Sequence, residues 1–212
     1  AKRMGRITPR LANYVVVYPF VKMRPWYALP FEEPTWLVGY SMGARMALHT
    51  ALAHPALVTA LVLVSGTAGI EDANERAGRR ASDDALADRI EMIGVPAFID
   101  EWLANPMFAG LTAETAMRTE RLSNTARGLA DSLRHAGTGT QDNLWPRLAE
   151  LRMPVLIVAG ADDAKFTAIA ERMNGLINVS SLSVIPAAGH TVHLEATDSF
   201  VGILKEWLVT NT

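Results

Sequence analysis

The feature that most constrains this chain is Gly39-Tyr40-Ser41-Met42-Gly43, a G-x-S-x-G sequence. Thr35-Trp36-Leu37-Val38 enters it and Ala44-Arg45-Met46-Ala47-Leu48 leaves it. The first run is apolar with β-branched members and reads as a strand, and the second has helical apolar spacing. A strand that passes into a helix through so few residues must turn sharply, and the flanking glycines let neighbouring backbone approach closely. The serine hydroxyl is then held exposed above the sheet edge, with the Met42 N–H at the start of the helix offered to a developing oxyanion.

The same alternation recurs along the chain. Residues 60–65, 155–160 and 182–185 are short runs containing Val or Ile, each followed by small or turn-forming residues. Runs that are apolar on both faces suit a parallel sheet covered by helices on both sides, and residues 44–53 and 199–209 have the spacing of such covers. Tyr14-Val15-Val16-Val17-Tyr18 reads as a further strand. Between residues 66 and 151 the strand pattern disappears. Residues 73–93, 96–104, 113–126 and 128–135 read as helices, with turns at Gly94, Asn105-Pro106 and Gly137-Thr138-Gly139. So long a helical stretch inside an α/β pattern implies an inserted lid, not a structureless loop. The fold class is therefore α/β, a mostly parallel sheet with an inserted helical lid. Residues 1–65 and 151–212 supply the core and residues 66–150 the lid.

A nucleophilic serine needs a base, and the base needs an orienting carboxylate. Asp163 follows the strand that ends at Gly160, and His190 follows the next strand through Pro186-Ala187-Ala188-Gly189. The order Ser41…Asp163…His190, each after a strand's carboxyl end, is that expected of an α/β-hydrolase triad. Asp162 is adjacent and competes for the acid role; Asp163 is preferred. His49 and His54 fall on or at the end of the helix after the elbow and read as structural. His193 with His190 and Glu195 outlines a metal set only faintly, so neither a metal nor a cofactor is expected.

Composition excludes several classes. The 212 residues are 50% hydrophobic and 20% charged, which provides for a buried core and excludes global disorder. A net charge of −2 favours neither nucleic acid nor an anionic membrane as partner. No cysteine is present, so a disulfide framework or a thiol nucleophile is excluded. The longest apolar stretches, such as residues 57–64, fall short of the ~20 residues of a membrane span. Lys2, Arg3, Arg6, Arg10, Lys22 and Arg24 precede the first acid, Glu32, a pattern that can mark a transit peptide. The strand-like segment within it argues against targeting, and a cytoplasmic location is expected.

Several segments carry a more specific resemblance. They are the elbow with Arg45, Glu120-Arg121-Leu122-Ser123-Asn124, the stretch Ser132-Leu133-Arg134-His135-Ala136-Gly137-Thr138-Gly139-Thr140-Gln141, Leu144-Trp145, Asp163-Ala164-Lys165-Phe166 and Ala188-Gly189-His190-Thr191-Val192-His193. From about Glu33 onwards the chain resembles the menaquinone-pathway 2-succinyl-6-hydroxy-2,4-cyclohexadiene-1-carboxylate (SHCHC) synthases of the α/β-hydrolase superfamily. The triad belongs to the whole superfamily; the Gly-Thr-Gly-x-Gln and Asp-x-Lys-Phe segments point to this branch. The resemblance implies a lyase that eliminates pyruvate from a small polycarboxylated substrate, with Ser41 as base backed by His190 and Asp163. It also implies carboxylate-binding roles for Arg45, Arg79 and Arg121, with Arg76 and Arg80 as alternatives to Arg79, and pocket roles for Tyr40 and Trp102. Sixteen of the twenty basic residues are arginines, whose permanent charge and planar fork suit carboxylates.

The chain departs from this family at its start. The family places a His-Gly loop, which supplies a second oxyanion donor, and further strands before the elbow. Here 40 residues precede Ser41 and contain no His-Gly pair. A fragment, a misassigned start and a genuinely altered protein all fit this departure. A missing donor costs about 2.7–4 kcal/mol of transition-state stabilisation, and missing strands expose a sheet edge. Three functions follow as expectations: the lyase, a small ester or thioester hydrolase on the same triad, and an inactive remnant.

Overall fold

The computed structural model describes residues 14–17 and 34–211. The basic segment read against targeting, and all but four residues of the stretch before Trp26, lie outside them. Among the described residues five strands form one parallel sheet in sequential order: β1 (Tyr14–Val17), β2 (Thr35–Tyr40), β3 (Val58–Val64), β4 (Val155–Gly160) and β5 (Ser180–Ile185). Alternation along the central strands explains why both faces need cover. Leu61 and Leu63 of β3 and Val155, Ile157 and Ala159 of β4 face one side, where they pack against Ala44, Ala47, Leu48 and Ala51 of α1 (Met42–Ala53). Ala60, Val62 and Val64, with Leu156 and Val158, face the other side and meet Trp207 and Phe200 of the C-terminal helix. Burying a large aliphatic side chain in this way stabilises by about 1.5–3 kcal/mol, so these two layers dominate the energetics of the core.

The segment between β3 and β4 holds α2 (Ala73–Leu103), α3 (Arg118–Arg121) and α4 (Ala126–Ala136). α2 starts where the Asp72 side chain accepts the Glu75 N–H, a standard cap worth about 1 kcal/mol. It bends at Gly94, whose φ of 78° interrupts the helical path, and Pro96 follows. Beyond the bend Phe98 and Ile99 join Ile90 and α4's Leu129 in a separate apolar cluster. One expected helix is largely absent: of residues 113–126 only Arg118–Arg121 is α-helical before α4 begins. The Thr112 N–H donates to Thr115 Oγ1 and the Thr115 N–H to Thr112 Oγ1, while Met117 takes a left-handed φ of 49°. Hydroxyls that capture local backbone N–H groups compete with helix hydrogen bonds.

The remaining helices are α5 (Ala164–Leu176), α6 (Val192–Glu195) and α7 (Thr197–Asn211). Ends predicted from sequence shift by a few residues: β3 begins at Val58 and β5 at Ser180. Among the described residues no helix is long and apolar enough to cross a membrane.

Close packing at the elbow makes a direct prediction. A Cβ on Gly39 would overlap the backbone of Gly43 and Ala44, whereas one on Gly202, within α7, would meet open space. Gly39→Ala is expected to destabilise by about 2–3 kcal/mol. Gly202→Ala is expected to be neutral or to stabilise by up to about 1 kcal/mol. Urea midpoints of the two variants against the parent chain check both signs.

Candidate active site

Ser41 is the single residue between β2 and α1, and its φ of 51° and ψ of −112° are non-helical and non-extended. A side-chain-bearing residue in such a conformation costs about 1–3 kcal/mol unless its surroundings hold it. The hold is visible: its N–H donates to Val64 O at the end of β3, at 2.8 Å. The turn places Ser41 Oγ 3.1 Å from His190 Nε2, while His190 Nδ1 lies 2.7 Å from Asp163 Oδ2. A carboxylate can only accept, so the imidazole proton sits on Nδ1 and the Nε2 lone pair faces the serine hydroxyl. Sequence positions 41, 163 and 190 thus meet at the carboxyl end of the sheet.

Asp163 also begins α5, its Oδ1 accepting the Phe166 N–H at 3.3 Å. Burial raises its pKa, but the hydrogen bonds from His190 and the Phe166 N–H outweigh it and hold the carboxyl below its ordinary value. Asp162 takes no part: it is exposed, and its N–H donates to Ala188 O. The His190 ring is 2% exposed, with the Phe166 ring 4.5 Å away edge-on and Tyr40 at 5.5 Å. Two further groups anchor the loop that carries it. Ser65 Oγ donates to the His190 carbonyl at 2.9 Å, and Glu195 accepts the Gly189 and Thr191 N–H groups at 2.8 and 2.9 Å as well as the Thr191 hydroxyl. Ser65 does not stand out in the sequence, and Glu195, which the sequence offers only as part of a faint metal set, instead ties the histidine loop through backbone N–H groups.

Ser41 and His190 open onto a cavity of about 510 Å³ that Met42 also lines. The Met42 N–H, first in α1, belongs to the turn whose donors have no acceptor within the helix. Tyr40, Arg45, Arg79, Trp102 and Arg121 all line the same cavity, so the structure gathers every pocket residue expected from the sequence. Arg45 is buried at 6% exposure, its Nη2 donating to Ala136 O at 2.8 Å and its Nη1 to Gln141 Oε1 at 3.3 Å. Gln141 in turn donates to Thr67 O, so the Gln of the Gly-Thr-Gly-x-Gln segment orients the arginine. Burial, reinforced by the Arg79 charge and opposed by Asp83, lowers the Arg45 pKa to about 10; it remains a cation at neutral pH.

Arg79 Nε donates to Asp83 Oδ1 at 2.8 Å. Of its neighbours, Arg76 is turned to the Ile70 carbonyl, and neither Arg76 nor Arg80 lines the cavity. Arg121 donates to Ala116 O and lies 5.7 Å from the Phe108 ring centre; burial lowers its pKa. Burial raises the Tyr40 pKa, which keeps the phenol neutral. Trp102 stacks between Phe98 and Phe108 at 5.7 Å from each. Among the described residues no group of three or more His, Cys, Asp or Glu side chains could hold a metal ion. His193 instead packs 4.5 Å from Tyr40, and burial lowers its pKa to about 4.

A serine, a carboxylate and an imidazole that follow the carboxyl ends of β2, β4 and β5 of a parallel sheet define the class, and the family model agrees. The chain belongs to the alpha/beta hydrolase family, whose model matches residues 10–203. Within that class it is similar to 2-succinyl-6-hydroxy-2,4-cyclohexadiene-1-carboxylate synthase of Serratia proteamaculans (strain 568). The two are 35% identical over 180 residues, covering 84% of this chain and 69% of the relative. A Bacillus subtilis (strain 168) protein that carries the same synthase name provisionally is 41% identical over 179 residues, 82% of this chain and 65% of that one. A solved MenH structure from S. aureus superposes with a TM-score of 0.81 at 38% identity, covering 84% and 69% of the two chains. A thermophilic esterase from Thermogutta terrifontis shares the fold, with a TM-score of 0.72 at 24% identity over 85% of this chain and 66% of the esterase. This chain therefore spans about two thirds of the length of the curated relatives it matches.

Two expectations follow from the geometry. Labelling of Ser41 by a fluorophosphonate should slow by about 10⁴-fold in Asp163→Asn and change less than about threefold in Asp162→Asn, as followed by mass spectrometry. His193 titrates near 6.5 when unfolded and near 4 when folded, so between those values the unfolded chain binds more protons. Stability from this group is present above about pH 6.5 and is lost as pH falls towards 4, on the order of 3 kcal/mol in all. Denaturation of His193→Phe across that window should show a shallower pH slope than the parent.

Proposed function

We propose that this chain is a carbon–oxygen lyase of the SHCHC-synthase type, which eliminates pyruvate from a small polycarboxylated cyclohexene in menaquinone biosynthesis. The observation that carries this reading is one cavity that opens on a Ser-His-Asp triad and is walled by three arginines. Identity of 35–41% to SHCHC synthases supports the substrate class.

In this reading His190 withdraws the Ser41 proton, and Asp163 stabilises the imidazolium that results. Ser41 then removes a ring proton, the electrons move through the conjugated system, and the ring carbon–oxygen bond to the enolpyruvyl group breaks. The ring gains a second double bond, and the departing enolate takes up a proton to become pyruvate. No oxidant or reductant is required, and the expected cofactor is none. The Met42 N–H stabilises the enolate charge as it develops. Arg45, Arg79 and Arg121 hold the substrate carboxylates, and Tyr40 and Trp102 shape the apolar part of the pocket. Residues 66–150 act as the lid over a core built from residues 1–65 and 151–212. A small anionic substrate, with neither nucleic acid nor membrane as partner, fits a cytoplasmic enzyme.

The same triad could serve a hydrolase with a water step. The arginine-lined cavity argues against a lipase-like substrate, because such a lid should present apolar surface. Pyruvate release measured beside p-nitrophenyl acetate hydrolysis separates the readings. Release of pyruvate supports the lyase; ester turnover without pyruvate favours the hydrolase; neither activity from a folded sample favours an inactive remnant. Arg45→Ala is expected to lower kcat/KM for pyruvate release by about 10–100-fold and ester hydrolysis far less, and equal losses would make Arg45 structural only.

A further inference from the structure

The lid contains one buried acid that the proposed chemistry does not use. Asp83, on α2, is 3% exposed. Its Oδ1 accepts from Arg79 Nε, while its Oδ2 is buried with no hydrogen-bond partner among the described residues. Oδ2 packs so closely on Gly137 that a Cβ there would overlap it, and Gly137 lines the active-site cavity. The Asp83 charge also acts on Arg45, opposing the effects of burial and of Arg79. A single carboxylate therefore serves two cations of the cavity wall.

As a stability device this arrangement is poor. The Arg79 side chain is 44% exposed, which screens the ion pair, while the carboxylate is desolvated with one oxygen unpaired. As a means of presenting a cation it is effective. Anchoring through Nε restrains the guanidinium and leaves both terminal nitrogens uncommitted: among the described residues Arg79 makes no other hydrogen bond. Those two nitrogens form one edge of the fork that binds a carboxylate bidentately.

We propose that Asp83 is a positioning residue of a carboxylate subsite, fixing Arg79 by its Nε edge so that the Nη1/Nη2 edge faces a substrate carboxylate. Its charge also offsets the repulsion between Arg79 and Arg45. The ligand class is a small dicarboxylate or tricarboxylate. The proposal deepens the lyase reading and rests on it for the idea that the cavity takes an anion.

The test is calorimetric titration of the full chain with succinate, a probe that needs no turnover. Wild type should bind it; Arg79→Ala and Asp83→Ala should each weaken binding about tenfold, and the double variant little further, because the two act as one unit. Asp83→Asn retains an oxygen for Arg79 Nε and should bind within about threefold of wild type, a rescue that a general loss of structure would not show. Asp83→Val removes the acceptor without leaving a cavity and replaces the alanine variant if that fails to fold. Wild-type affinity in Asp83→Ala or Asp83→Val, additive losses in the double variant, or no succinate binding by wild type would each overturn the proposal. Absence of pyruvate release with succinate binding intact would instead count against the lyase reading alone.

Discussion

The Ser41 N–H bonded to Val64 O holds a strained backbone in place, and much of the site follows from that constraint. With the residue pinned to the sheet between β2 and α1, the direction of its Oγ is set by core packing and not by the helical segment between β3 and β4. Ala44, Ala47 and Leu48 are buried beside Leu61 and Leu63, so α1 cannot rotate without breaking the largest apolar layer. The same helix carries the Met42 N–H and, one turn on, Arg45. Ser41, the Met42 N–H and Arg45 are therefore one rigid unit, whose strain of about 1–3 kcal/mol is small beside the burial that holds it.

The opposite wall is held by polar tethers. Asp163 commits one oxygen to the start of α5 and the other to His190, so a single side chain joins helix initiation to imidazole orientation. The histidine loop is tied back to β3 through Ser65 and closed on itself by Glu195. Gly110, from the helical insertion, lies so close to the Glu195 carboxylate that a side chain there would overlap it. The helical segment between β3 and β4 and the histidine loop thus share a contact, and neither can shift far without the other responding.

This division explains what could be read in advance. β3 and β4 are legible because strands buried on both faces are near-continuous apolar runs, whereas β5, Ser-rich and mostly unburied, is read only over its 182–185 end; the order of Ser41, Asp163 and His190 follows from their strand-end contexts. Gln141, Ser65, Glu195 and Asp83 were not legible in their roles. Each acts through a hydrogen bond to a carbonyl, to backbone N–H groups or to an arginine whose position depends on tertiary packing. The Gly-Thr-Gly-x-Gln segment marked a family without a mechanism until Gln141 was seen to hold Arg45. The overextended helix at residues 113–126 has a local cause: apolar spacing and alanines suggested a helix, while Thr112 and Thr115 divert backbone donors to their hydroxyls.

The acceptors chosen by the three cavity arginines explain the charge of the site. Arg45 donates to Ala136 O and Gln141 Oε1, and Arg121 donates to Ala116 O. A carbonyl or amide oxygen satisfies the hydrogen-bonding needs of a guanidinium without cancelling its charge. Arg79 is paired with Asp83, whereas the Ala136 carbonyl and the Gln141 amide oxygen leave the buried Arg45 guanidinium its full charge. In a cavity partly closed to water that charge is strong, because fewer dipoles are free to screen it. Burial, with the neighbouring Arg79 charge, draws the Arg45 pKa down to about 10, and Arg45 remains a cation at neutral pH. Under the proposed lyase reading, a substrate carboxylate supplies the counter-charge to Arg45, whose carbonyl and amide acceptors already fix its position.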